Sequence, residues 1–99
     1  MQTPHQTTAA IVAQISKQNY PMQRIDVKLS KHQGTKKERI LDDCLLSTDL
    51  FINETIAGRK KPVIKKTFEK RNTALAGLFR EVAQQTQKGF NVIGTEVYD

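Results

Sequence analysis

Apolar positions in the second half of the chain recur at three- and four-residue steps. Ile64, Phe68, Leu75, Leu78 and Val82 fall on one side of a helix, and Ala74, Phe79 and Ala83 widen that side into a broad stripe. This spacing predicts a long helix over Pro62–Lys88, with Pro62 suited to its first turn and Gly89 to its end. A second helix is expected to begin at Thr35, where Thr35 and Glu38 have the spacing of a capping box. Its apolar side would comprise Ile40, Leu41, Cys44, Leu45, Thr48, Phe51, Ile52 and Thr55, and Gly58 would stop it. The short link Gly58–Lys61 between the two predicts an antiparallel helical hairpin of Ile40–Ala57 and Pro62–Lys88. Gly77 within the long helix suggests close approach by a neighbour.

Period-two alternation marks the strands. In Met22–Leu29, Ile25, Val27 and Leu29 point one way while Arg24, Asp26 and Lys28 point the other, toward solvent or an anion. A second strand is expected over Phe90–Tyr98, where the alternation changes phase across Ile93 and Gly94, as at a bulge. A short helix over Thr8–Gln18, ended by Pro21, completes the prediction. The expected class is α+β: a short N-terminal helix, a long helical hairpin and a two-stranded sheet, four-stranded if two copies pair across a two-fold axis. Residues 1–7 read as a tail and residues 8–99 as one small domain.

Charge adds the main functional clue. The formal net charge is +6, and thirteen of the sixteen Lys and Arg residues fall in two stretches, Arg24–Arg39 and Arg59–Arg71. Clustering of this kind suits a polyanion. The candidate nucleic-acid contacts are Arg59, Lys60, Lys61, Lys65, Lys66 and Lys70, joined by Lys36, Lys37, Arg24 and Lys28. In the helical hairpin, Arg59–Lys61 would sit at the amino end of the long helix, where free backbone donors favour an anion. Lys36 and Lys37 would lie at the opposite end, about 25–30 Å away. The aromatic residues read as core or partner contacts and not as rings interleaved with lysines, so duplex DNA is the expected nucleic-acid partner. An acidic protein is the alternative, which would make the chain a non-catalytic interaction module, and in either case a homodimer is expected.

Little in the chain could assemble into an enzyme. His5, His32 and Cys44 lack metal-ligand spacing, and Asp42 and Asp43, adjacent on a helix, would point about 100° apart. The glycine-rich phosphate loop and the nucleophile motifs are missing, so neither a cofactor, a metal nor a small-molecule substrate is expected. Cys44, the one cysteine, reads as a small buried thiol. No apolar run approaches the roughly 20 residues that span a bilayer, and the start shows no secretory pattern, so the expectation is a cytoplasmic protein away from membranes.

Overall fold

The computed structural model describes residues 24–98, so the predicted tail and the Thr8–Gln18 helix lie outside the described residues. Five antiparallel strands and one helix follow in the order β1 (Arg24–Lys31), β2 (Arg39–Leu46), β3 (Asp49–Ile56), β4 (Arg59–Thr67), α1 (Arg71–Gln87) and β5 (Asn91–Tyr98). The sheet order is β4-β3-β2-β1-β5. The first four strands form a meander, and α1 then crosses one face to deliver β5 to the far side of β1. Crossing four strand spacings requires about 19 Å, and a helix of 17 residues spans about 25 Å, which accounts for its length.

The helical hairpin is therefore replaced by strands. Residues 39–56, expected as one helix, are β2 and β3, joined by a two-residue turn at Ser47–Thr48 in which Ser47 has a positive φ of 58°. The first half of the supposed long helix is β4, and only residues 71–87 are helical. The apolar spacing misled because Leu41, Leu45 and Ile52 satisfy both a helical stripe and the inward face of alternating strands. Asp43 conceals the alternation of β2, since a charged residue occupies a position that turns out to face the core. Gly58 ends no helix. Ala57 and Gly58, with φ of 52° and 79°, form the tight turn between β3 and β4, the type with two left-handed residues whose twist suits a hairpin.

The core lies between the sheet and α1. Ile25, Val27 and Leu29 of β1, Leu41 and Leu45 of β2, and Leu50 and Ile52 of β3 meet Ala74, Leu78 and Val82 of the helix. Burying each of the large aliphatic side chains stabilises the fold by about 1.5–3 kcal/mol. The stripe expected on the second half of the helix is thus present, although Ile64 and Phe68 precede the helix and are not part of it. Close approach at Gly77 is also present, made by a side chain: a methyl group there would lie 2.4 Å from the Phe68 ring. Gly89, with φ of 98°, ends α1 as expected, and β1 and β5 coincide closely with the two predicted strands. The phase change in β5 is a bulge at Ile93, since Gly94 pairs with Lys28 and Val92 with Leu29.

The two margins of the sheet differ. Every residue of β4 is exposed, and the strand carries Arg59, Lys60, Lys61, Pro62, Lys65 and Lys66. Lysine and proline on an outer strand oppose pairing with another sheet, which explains much of this basic run without any ligand. On β5 the only charged residue is Glu96.

Candidate functional site

Beneath α1, one polar pair interrupts the apolar packing. Asp43 is fully buried, opposite Val27 on one side and Ile52 on the other. Gln85 Nε2 in the last turns of α1 donates to its Oδ1 at 3.2 Å, while Asp43 Oδ2 and Gln85 Oε1 have no partner. Burial pushes the carboxyl up to about 7; the Gln85 bond opposes this, and the nearby Glu81 and Asp42 charges add to it. In the protonated form the Asp43 O–H is a donor facing a side chain with a vacant acceptor, so one proton satisfies both orphaned atoms. This pair serves the fold.

The opposite face of the sheet is chemically richer, and no described element packs on it. Period-two alternation turns Arg24, Asp26 and Lys28 outward from β1, as expected from the sequence, and turns Asp42 and Cys44 outward from β2. From β3 come Phe51 and Asn53, and from β4 come Lys60 and Lys65. A concavity of about 500 Å³ lies over this face. Gly94, Lys28, Asp42 and Asn53, neighbours in one cross-strand row that ends at Pro62, are part of its lining. Both outer strands are bulged beside this row, β4 at Val63 and β5 at Ile93. Bulges bend the strands that carry them, so a matched pair curls both margins of the sheet at the same level. Glycine at one end of the row and proline at the other contribute no long side chain to fill the hollow.

Electrostatics divides the face into spent and unspent groups. Arg24 donates two hydrogen bonds to Asp26, both 2.9 Å, which hold its guanidinium above its usual pKa. Arg24 also lies over the Tyr98 ring, 5.4 Å from its centre, and the Tyr98 hydroxyl donates to Glu96. Lys28 Nζ stands 3.9 Å from Asp42. Lys65 is placed over the Phe51 ring, 5.4 Å from the centroid. Cys44, expected to be buried, is only half-buried and faces this side. Burial first, then a hydrogen bond with Asp26, pushes its thiol up to about 11 and leaves it a poor nucleophile.

The sequence-predicted cations are distributed as follows. Lys60 and Lys65 share the concave face with Arg24 and Lys28, whereas Arg59, Lys61 and Lys66 turn toward the side that bears α1. Lys66 is neutralised there by Glu81, and Lys70 stands at the N-cap position of α1 without a side-chain capping bond. Lys36 and Lys37 lie in the β1–β2 loop. The meander brings that loop and the β3–β4 turn to the same end of the sheet, two strand spacings apart, or about 10 Å. The separation of 25–30 Å belonged to the helical hairpin and disappears with it. Among the described residues, none of Lys36, Lys37, Arg59, Lys60 and Lys61 is in an ion pair. The aromatic contacts are the part that sequence reasoning missed. Lys65 and Phe51 are 14 residues apart, and only the β3–β4 register makes them neighbours.

No protein-family model matches this chain, and neither does any curated protein or solved structure. The geometry of the face therefore carries the functional reading. Among the described residues, no helix is long and apolar enough to cross a membrane.

Proposed function

We propose that the protein binds single-stranded nucleic acid on the concave face of its sheet, opposite α1. The observation that carries this reading is the placement of Phe51 on that face, beside Lys65 and below the end of the sheet where Lys36, Lys37, Arg59, Lys60 and Lys61 gather. Phosphates of an unpaired strand would be neutralised along the cationic end, and a base turned onto the face would stack on Phe51. Tyr98 offers a second ring. It lies three strand spacings away and one row lower, about 16 Å from Phe51, a distance bridged by two or three nucleotides of an extended strand. Acidic residues at the centre of the face repel phosphate, which keeps the backbone at the rim and leaves the centre to bases. A duplex hides its base faces and gains nothing from exposed rings, so Phe51 beside Lys65 favours a single strand over the duplex expected when the rings read as core or partner contacts.

The test is fluorescence anisotropy with a labelled oligothymidylate and a labelled duplex across a salt series. The single strand is expected to bind more tightly, with affinity falling as salt rises. Phe51→Ala should weaken it roughly five- to hundredfold, the cost of about 1–3 kcal/mol for losing one stacked base. Replacing Lys36, Lys37 and Lys60 together by Gln should flatten the salt dependence, by about 0.7 in slope for each phosphate no longer neutralised. Absence of binding at low salt, a duplex preferred to the single strand, or indifference to Phe51→Ala would each overturn the reading.

A further inference from the structure

We propose that Asp42 and Asn53 on the floor of the concavity read the Watson–Crick edge of guanine; this rests on the single-strand reading above and assigns its base preference. The two residues are direct register partners on β2 and β3, with side chains on the same face. Directly opposed residues of an antiparallel pair have Cα atoms about 4.5–5.5 Å apart, so one base edge reaches both. Their hydrogen-bonding capacity is unspent. The contact of Asp42 is Lys28 at 3.9 Å, beyond hydrogen-bond range, and the Asn53 amide makes no hydrogen bond among the described residues. Phe51 precedes Asn53 by two residues on the same face, about 7 Å along the strand. A base stacked on Phe51 therefore directs one edge toward the pair.

The donor and acceptor pattern selects the base. A carboxylate presents two acceptor oxygens side by side, and guanine is the base whose pairing edge presents two adjacent donors, N1–H and the 2-amino group. Its O6 is left to accept from Asn53 Nδ2. Cytosine and adenine place a ring acceptor where the second carboxylate oxygen lies, so one bond forms against a repulsion. Thymine and uracil offer a single donor between two carbonyls. Lys28, on the β1 side of Asp42 and away from Asn53, pairs with the carboxylate at 3.9 Å and complements the charge of its ionised, accepting form.

The experiment compares short oligothymidylates that differ at one central position: thymine, guanine, inosine or 7-deazaguanine. Inosine lacks the 2-amino group alone, and 7-deazaguanine keeps the whole pairing edge. The guanine and 7-deazaguanine strands should bind roughly five- to hundredfold more tightly than the thymine strand, with inosine forfeiting much of that gain. Asp42→Asn should bring the guanine-to-thymine affinity ratio to about one, its fold being checked by thermal unfolding. Equal binding of all four strands would overturn the guanine assignment while leaving single-strand binding intact, as would weakened binding of the 7-deazaguanine strand but not of the inosine strand. Failure of every strand to bind would overturn the single-strand reading and the assignment with it.

Discussion

Replacing Asp43 by asparagine isolates the buried carboxyl under α1. The folded protein holds this group at about 7, against about 3.8 in an exposed chain. Because the folded value is raised, the native state binds the proton more tightly than the unfolded state. The associated stability is complete below about pH 4 and is lost as pH rises through 7. Three pH units at 1.36 kcal/mol each put the cost of ionisation at about 4 kcal/mol. The asparagine side chain of the Asp43→Asn variant would be neutral at every pH. Its Oδ1 would accept from Gln85 Nε2 and its Nδ2 would donate to Gln85 Oε1, so the two atoms otherwise left idle are both used. Urea unfolding followed by circular dichroism should therefore give nearly equal stabilities for the two proteins near pH 4. Near pH 8 the variant should be more stable by up to about 4 kcal/mol. Taking the difference between the proteins removes the background from other titrating groups. A difference that stays constant from pH 4 to 8, or a variant destabilised at both ends, would refute the reasoning.

Two further substitutions test the backbone. Ala57→Asn in the β3–β4 turn should raise stability by about 0.5–1 kcal/mol, because asparagine adopts the left-handed conformation at less cost than alanine. In a domain of this size that is a gain of about 2–8 °C in Tm, and an unchanged or lowered Tm would count against the turn. Gly77→Ala should destabilise by about 1–3 kcal/mol despite the better helix propensity of alanine, since the new methyl meets the Phe68 ring; a rise in Tm would show that Phe68 moves aside freely.

What was legible in the sequence tracks how locally each signal is written. β1 alternates cleanly, α1 keeps its stripe of Ala74, Leu78 and Val82, and the bulge in β5 shows as a phase slip at Ile93. The meander was illegible because its determinants are tertiary. Asp43 faces inward only because Gln85, 42 residues later, supplies a partner. Thr35 and Glu38 look like a helix cap, yet the Thr35 hydroxyl donates to His32 O in a loop and Glu38 accepts from Ser30. Arg59–Lys61 reads as part of a link and Pro62–Lys66 as the start of a helix, yet the whole run forms a strand because β3 offers a partner of matching length. For the candidate site, the outward face of β1 was readable from alternation, whereas the rings beside the lysines and the Asp42–Asn53 pair exist only through strand register.

The unequal margins of the sheet set a limit on self-assembly. Among the described strands, Lys- and Pro-bearing β4 opposes a further partner more strongly than β5, whose one charged residue is Glu96. Two molecules joined along β5 would each have used their more permissive border, leaving the two less receptive borders outermost. Strand addition between copies, where it occurs, would thus stop at a pair, and the endless stacking that threatens a sheet with two receptive sides would be opposed.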